Sequence, residues 1–148
     1  MDPDLERSIS DARRRRANDI PQDSTDLMYL VSDTNDPGNI YLALRDPTIK
    51  ATINSQNDDG MTALMYAVQE AKGDIVGELM KNGADSQLAN NQGETAIDIL
   101  SQLPVSDFDN DESTRVWMRG LMNPQGGRRR KTRKPKRKSR KAKKTRKH

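Results

Sequence analysis

Residues 57–100 read NDDGMTALMYAVQEAKGDIVGELMKNGADSQLANNQGETAIDIL, and this stretch aligns with itself when it is shifted by 33 positions. The shift places Gly60 on Gly93 and Thr62 on Thr95, each pair within a similar polar turn sequence. A fixed period of this length is typical of proteins built from stacked repeats, in which each unit packs only against its neighbours. We therefore expect residues 57–100 to form part of a repeat array.

Each repeat unit predicts a turn followed by two helices. The triplets DDG and NQG favour a turn, because glycine adopts open or left-handed backbone conformations at little steric cost. The Thr that follows can cap a helix. Apolar residues then recur at helical spacing, first at Ala63, Leu64, Ala67 and Val68, and then at Ile75, Val76, Leu79 and Met80. Gly83 follows the second helix, at a position where glycine commonly ends one.

Two apolar stretches precede the repeat, LMYLV at residues 27–31 and IYLAL at residues 40–44, with the helix-breaking sequence DTNDPGN between them. We predict two short helices joined by a turn, with two strands as the alternative. After Leu100 the repeat pattern ends in an acidic, insertion-like segment. The sequence RVWMRGLM at residues 115–122 then predicts a closing helix, with Trp117 as a core residue at the end of the stack.

Residues 1–20 are polar and predict a short helix, capped by Asp2 or Asp4 and ended by Pro21. The run of arginines at residues 13–16 lies within it. We interpret this segment as a solvated, frayed helix or arm. The alternative is that the arginines form a second basic contact or an import signal.

The charge of the chain is divided between two parts. Residues 128–148 contain fifteen Lys or Arg and no acid, whereas residues 1–127 contain eleven Lys or Arg and all 22 Asp and Glu. Such a tail, without apolar residues to pack, predicts disorder and a polyanionic partner such as nucleic acid. It has no aromatic side chain to stack on bases, so we expect salt-sensitive contacts with the phosphate backbone or a role in nuclear import. The candidate polyanion-binding residues are Arg128, Arg129, Arg130, Lys131, Arg133, Lys134, Lys136, Arg137, Lys138, Arg140, Lys141, Lys143, Lys144, Arg146 and Lys147.

The repeated stretch resembles the ankyrin-repeat family. The matching features are the D-x-G-x-T-A-L opening at residues 58–64, the central Ala67, and the Gly-Ala-Asp that begins at Gly83. The likeness extends loosely back to Leu27. The unit is divergent: Ala stands where the family usually has Pro after the Thr, Met65 and Asp98 replace its usual His, and Ala71 replaces the Gly expected between the two helices. This divergent style, together with a Lys/Arg-rich tail behind Gly-Gly, is also similar to proteins of large DNA viruses.

The resemblance implies an all-α solenoid of about three helix pairs. We predict three parts: an N-terminal arm or short helix at residues 1–20, an ankyrin-repeat-like domain at residues 21–125, and a disordered basic tail at residues 126–148. Ankyrin-repeat proteins mostly bind other proteins through the turn tips and inner helix faces. The corresponding protein-binding candidates here are Asp58, Asp59, Met61, Gln69, Glu70, Asn91, Gln92 and Glu94.

No catalytic, cofactor or metal site is predicted. The chain has no Cys, and its single His is His148, so a His-based triad or a thiolate metal site in a folded pocket is excluded. The acidic run at residues 107–111 departs from a calcium loop, because Glu112 stands at the position that needs Gly. No apolar run approaches the 18 residues needed to span a bilayer, and the start of the chain does not resemble a secretory signal, so we expect a protein inside the cell, in the nucleus or in a virion. We also expect a monomer.

These features predict a non-enzymatic adaptor that holds a protein partner through its repeats and a polyanion through its tail. The first alternative is a structural or packaging protein whose tail condenses nucleic acid, with the repeats acting as a folded spacer. The second is self-masking, in which the acidic body attracts the basic tail until a polyanion competes for it.

Overall fold

A computed structural model describes residues 2–104, 106 and 112–123 of the chain. This part of the chain is helical, apart from one isolated antiparallel bridge between Ala89 and Thr95. The helices are α1 (Pro3–Arg16), α2 (Asp26–Asp33), α3 (Pro37–Leu44), α4 (Pro47–Lys50), α5 (Ala63–Gln69), α6 (Gly73–Lys81), α7 (Ala96–Gln102) and α8 (Glu112–Met122). The predicted tail, His148 and the acidic run at residues 107–111 lie outside the described residues.

The helices form three stacked pairs, α2 with α3, α5 with α6, and α7 with α8. The first helices of the pairs, α2, α5 and α7, make one row, since α5 contacts both α2 and α7; we call them the inner helices. The second helices, α3, α6 and α8, make another row, in which α6 contacts both α3 and α8; we call it the outer row. The two helices predicted within residues 27–44 are confirmed, and the alternative of two strands is wrong.

The core runs continuously through the stack. The residues predicted to pack from the first helix of the repeat, Ala63, Leu64, Ala67 and Val68, are all buried. On the second helix Ile75, Val76 and Leu79 are buried, while Met80 is only partly buried. Helices of seven to nine residues are too short to be stable alone in water, so tertiary packing of these apolar faces holds them in place.

Threonine caps begin the first helix of every pair. Thr25 caps α2, Thr62 caps α5 and Thr95 caps α7, each accepting a hydrogen bond from a backbone N–H of the first turn. Thr95 and Asp98 form a full capping box, because the Asp98 carboxylate accepts hydrogen bonds from Thr95 N (2.9 Å) and Thr95 Oγ1 (2.8 Å). These bonds, the backbone one first, lower the pKa of Asp98 below its usual 3.8. Asp98 therefore has a structural role in place of the family's usual His.

Helices α5 and α6 end with the same hydrogen-bond pattern. In α6 the N–H of Gly83 donates to Met80 O and that of Ala84 to Leu79 O, and Gly83 has a φ of +97°. This is the Schellman arrangement predicted from Gly83. In α5 the corresponding donors are Ala71 and Lys72, and Ala71 has a φ of +56°. An alanine thus occupies the left-handed conformation that favours glycine.

Helix α1 is docked onto α2, so the prediction of a fully solvated, frayed helix is wrong for one of its faces. Ile9 and Ala12 are buried in the common core, and Asp2 caps the helix as one of the two predicted caps. Helix α1 has few apolar residues on one face, so its composition alone predicts a solvated helix. The packing becomes favourable because charged groups on α2 lie opposite the arginine run.

Three of the four arginines in that run bind α2. Arg13 Nε donates to Asp26 (2.7 Å), and Arg15 Nη1 donates to Asp33 (2.6 Å). Arg13 also lies over the ring of Tyr29, 5.4 Å from its centroid. Arg16 donates to the carbonyl of Ser32 (2.5 Å), in the last turn of α2, where a cation offsets the negative end of the helix dipole. The run therefore helps to hold α1 in place within the fold.

Lys72 ties the second pair to the first. Its Nζ donates to the carbonyls of Val31 (2.7 Å) and Ser32 (3.0 Å) at the end of α2, and it pairs with Glu70 at 2.6 Å. The Lys72 side chain is only 10% exposed. It supplies donors for carbonyls that the end of α2 leaves without intrahelical partners.

Helix α8 closes the stack, as predicted. Met118 and Met122 are fully buried, and Ser86 Oγ donates to the carbonyl of Met122 (2.6 Å). The Trp117 ring lies against Gly73 and Gly77 of α6, where an added Cβ would lie 3.2–3.3 Å from it. Trp117 nevertheless remains 46% exposed, so it covers α6 without being enclosed in the core.

Candidate protein-binding groove

Two turns at residues 57–60 and 90–93 have the same local structure, 33 residues apart. In the first, Asn57 Oδ1 accepts from the N–H of Met61 (2.9 Å). In the second, Asn90 Oδ1 accepts from Glu94 (2.9 Å). The N–H groups of Gly60 and Gly93 donate to Asn57 O and Asn90 O at 2.8 and 2.9 Å. The self-alignment of the sequence therefore corresponds to a structural repeat.

The two turns stack directly on each other. The N–H of Asn91 donates to Asp59 O (3.1 Å), and its side-chain Nδ2 donates to Asp58 O. An added Cβ at Gly60, where φ is +74°, would lie only 2.7 Å from the Asn91 N atom. Glycine at this position is therefore required by close approach as well as by the backbone conformation.

A buried polar cluster anchors the first turn to Ser24, which lies just before helix α2. Asn57 Nδ2 donates to Ser24 Oγ and to the Tyr66 hydroxyl, both at 2.9 Å. Burial raises the pKa of Tyr66 above its usual 10.0. On the outer side of the turn, the N–H of Asp58 donates to the carboxylate of Asp23. These contacts fix the turn relative to helix α5.

The turns and the inner helices enclose a groove of about 630 Å³. Six of the eight predicted protein-binding residues line it: Asp59, Met61, Gln69, Asn91, Gln92 and Glu94. We refer to it as the concave groove. Seven further lining residues were not predicted: Asp19, Pro21, Tyr66, Asn90, Ile99, Gln102 and Leu103.

The missed residues come from the segment before α2, from the end of α7, and, for Tyr66 and Asn90, from within the repeat itself. Asp19 and Pro21 reach the groove because α1 is docked, which the sequence did not indicate. Ile99, Gln102 and Leu103 continue the groove along α7 and just beyond it. The 33-residue period was a usable signal for part of this set, because Gln102 corresponds to Gln69.

Asp58 and Glu70 lie away from the concave groove. Asp58 is held in the turn stack by Asp23 and Asn91. Glu70 pairs with Lys72 and lines a separate depression, with Trp117 and Thr114 on its far side. Both residues therefore have structural partners, and the groove is defined by the other six candidates.

The concave groove carries negative charge without basic residues of its own. Its carboxylates belong to Asp19, Asp59 and Glu94, and no Lys, Arg or His is among the lining residues of the described chain. Arg16 lies 3.6 Å from the Asp19 carboxylate at the edge. The Glu94 carboxylate accepts from Gln102 Nε2 (2.6 Å) and Asn90 Nδ2 (3.2 Å), which orient it but leave its charge uncompensated. Met61, Ile99 and Leu103 supply apolar surface beside these groups.

Within residues 2–104, 106 and 112–123, no group of three or more His, Asp or Glu is arranged to hold a metal ion. Among the helices described, none has both the length and the hydropathy needed to cross a bilayer.

Comparisons with known proteins agree with this architecture. A family model for ankyrin repeats in three copies matches residues 27–103. A putative ankyrin repeat protein of Rickettsia bellii (strain RML369-C) is 42% identical over 53 residues, which cover 36% of this chain and 32% of that protein. Tyrosine-protein kinase HTK16 of Hydra vulgaris is 27% identical over 73 residues, which cover 49% of this chain and 10% of the kinase. The matches thus span about a third and about a tenth of these two relatives.

The matched residues begin at Leu27, where the sequence likeness was expected to begin, and they include helices α3 to α7 and nearly all of α2. They make up slightly more than half of the chain. The stacked helix pairs and the repeated turns have the form that this family match requires. The chain belongs to the ankyrin-repeat family, whose repeats form protein–protein interaction domains.

Proposed function

We propose that the chain is a non-enzymatic, monomeric adaptor. Its concave groove binds a segment of a partner protein, and its basic tail binds nucleic acid or another polyanion without sequence specificity. In this proposal the protein acts inside the cell, and the tail directs it to the nucleus or to the nucleic acid of a virion. Residues 21–125 are the binding body, with α1 as a supporting helix.

The main support for the protein-binding part is the convergence of six candidate residues on one cavity. Carboxylates, side-chain amides and apolar groups lie side by side in it. Such a mixture is typical of surfaces that hold a peptide by a few placed polar groups beside apolar contacts. The turns that carry it are fixed by hydrogen bonds, so little ordering is needed on binding.

The tail part of the proposal is supported by its composition alone. Fifteen cations in 21 residues would release many counterions from a nucleic acid. Neutralised phosphates each add about 0.9 to the salt slope of log K on duplex DNA, so binding should fall steeply as salt increases.

Site-specific crosslinking tests the groove. Because the chain has no Cys, Gln92→Cys provides a single attachment point for a photocrosslinker in the full chain. We expect one defined partner to be crosslinked in cells, and we expect Met61→Arg to abolish its capture. The control is a label at Asp74→Cys, on the outer row of helices. Equal capture from both positions, or capture that survives Met61→Arg, would contradict the proposal.

Titration with a random-sequence DNA duplex tests the tail. The variant keeps the full length and replaces all fifteen Lys and Arg after residue 127 with Gln. We expect its affinity to drop to the level of a nonbinding acidic protein and its salt slope to vanish. Unchanged affinity would remove the tail from the function. DNA condensation by the full chain without any groove-dependent partner would favour the packaging alternative.

A further inference from the structure

We infer that the concave groove binds the chain's own basic tail, residues 128–148, when no competing polyanion or partner is present. The inference rests on the proposed function, because it uses the same groove as a binding surface. It adds that the tail of the same molecule occupies this groove. A ligand at either end of the chain thereby competes with this internal contact and frees the other end.

Charge complementarity is the first argument. Three carboxylates line the groove; Arg16 pairs with Asp19 at its edge, whereas Asp59 and Glu94, on successive stacked turns, have no basic partner among the described residues. The body as a whole has eleven more acids than bases, whereas the tail has fifteen cations and no acid. Of the described basic residues, Arg13, Arg15, Lys72 and Lys81 are already paired with acids on other surfaces. The tail is the part of this chain whose cations lack acids nearby in sequence.

The side-chain chemistry of the groove fits such a segment. Lys and Arg carry long apolar stems, which pack on apolar surface while the charged group remains in water. Met61, Ile99 and Leu103 provide that surface beside the carboxylates. The amides of Gln69, Asn91 and Gln92 can accept from or donate to an extended backbone.

Chain length allows the contact. The last described residue, Asn123, is followed by four residues before the first tail cation and by 25 residues in all. A random coil of 25 residues has an average end-to-end distance of about 25–30 Å. A domain of about 120 residues has a radius of gyration of about 14 Å, so the groove is within reach. Tethering also gives the tail an effective concentration in the millimolar range, which makes a weak contact populated.

Binding at the two ends is then coupled. A polyanion that captures the tail frees the groove, and a protein that occupies the groove frees the tail. Linkage requires the two effects on affinity to be equal. Each would raise the affinity for the other by about fivefold, because a few exposed ion pairs contribute only modestly.

Paramagnetic relaxation in the full chain tests this inference. Ala142→Cys attaches one spin label in the tail and retains all fifteen cations. At about 0.02 M salt we expect selective broadening of the amide signals of Asn91, Gln92 and Glu94, relative to those of α6 on the outer row. We expect the broadening to disappear at about 1 M salt, where the Debye length is about 3 Å, and on addition of a random-sequence DNA duplex.

Matched variants assign the effect to the groove. Asp59→Asn/Glu94→Gln removes two charges from it, and Asp74→Asn/Glu78→Gln removes two charges from α6. We expect only the groove variant to lose the broadening and to bind the duplex about fivefold more tightly than the control variant. Uniform broadening, none at low salt, or equal duplex affinities would overturn the inference.

Two further outcomes are distinguishable. If spin-labelled chain broadens the groove signals of a separate, isotope-labelled chain, the tail binds a second copy, and the intramolecular contact is refuted. If the crosslinker at residue 92 captures a partner but the spin label has no effect on the groove, the adaptor function stands and this inference falls. These two outcomes oppose the inference, and a third opposes only the proposed function. If the tail occupies the groove but no partner is captured, the proposed function fails while the intramolecular contact stands.

Discussion

Ala71 is the residue at which the divergent repeat departs most clearly from favourable backbone geometry. Its φ of +56° places an L residue in the left-handed region at the end of α5, within a hydrogen-bond pattern equal to that around Gly83. The left-handed conformation costs a non-glycine residue about 1–2 kcal/mol. Part of that cost is offset because alanine loses less backbone entropy on folding than glycine does.

Replacing Ala71 with Gly should therefore stabilise the protein by about 1 kcal/mol. The matched control is Gly83→Ala, where an added Cβ meets no atom within 4 Å, so only the backbone term acts. We expect that control to lose about 1 kcal/mol. Urea unfolding followed by circular dichroism measures both values, and a destabilised Ala71→Gly protein would contradict this account of the loop.

Asp98 makes the stability of the third unit depend on pH. Because its pKa is lowered in the folded state, its stabilising effect is fully present above the unfolded-state value and is lost as pH falls through the folded-state value. We expect Asp98→Asn to be less stable than the natural protein at pH 7, with the difference shrinking below about pH 4. Urea midpoints at the two pH values measure it. The pH-dependent difference should shrink in a Thr95→Val background, which removes the hydroxyl bond to Asp98 but keeps the backbone one, and an unchanged difference there would contradict the contribution of the hydroxyl.

At the scale of elements, the stacked turns are more closely fitted than the sequence repeat implies. Gly60 and Gly93 are equivalent by the 33-residue shift, with φ values of +74° and +80°. Yet the Cβ position at Gly60 is blocked by Asn91 and Asn90, whereas the one at Gly93 meets nothing within 4 Å. The difference arises only because one turn has a following turn packed against it.

Alanine substitutions at these two glycines should separate the two contributions. Gly93→Ala adds backbone strain alone and should cost about 1 kcal/mol. Gly60→Ala also forces the Asn91 backbone away and should cost about 2–3 kcal/mol. Thermal unfolding of both variants measures the difference. Equal losses would mean that the turns do not hold each other in this arrangement.

The helix pairs could be predicted from the sequence because their signals are local. Thr62, Gly83 and the apolar spacing each specify a cap, an end or a buried face within one unit. The docking of α1 could not be predicted in this way, because its thin stripe at Ile9 and Ala12 gains stability from Asp26 and Asp33 on another element. The same dependence on tertiary contact explains why Asp19 and Pro21 were missed as groove residues, and why Asp58 and Glu70, chosen from the family's turn tips and inner helix faces, have partners outside the groove.

At the scale of the whole molecule, the described residues share one hydrophobic core that extends from Ile9 in α1 to Met122 in α8. Short repeat arrays depend on the interfaces between neighbouring units, so a disturbance at one end should lower the stability of the other. The single Trp117 lies at the opposite end from α1 and reports on that coupling.

Ala12→Asp should lower the stability of the whole array by about 3 kcal/mol, because it buries a carboxylate without a partner. We expect the urea transitions followed by Trp117 fluorescence and by circular dichroism to shift together. Ser10→Asp, at an exposed position of the same helix, is the control and should shift neither. A fluorescence transition that stays in place while the circular dichroism transition moves would show that the ends unfold independently.

The turn stack also determines how tandem duplication within the gene could lengthen this repeat array. The first turn accepts hydrogen bonds through the carbonyls of Asp58 and Asp59. The second turn donates both of them from Asn91. A tandem duplication of the 33 codons for residues 59–91 would insert a turn that reads Asn90-Asn91-Asp59-Gly60, with backbone carbonyls and an asparagine in the same places. The terminal helices would be unchanged, and the groove would lengthen by one turn and one inner helix. Recombination within this segment can thus enlarge the binding surface without designing a new end for the array.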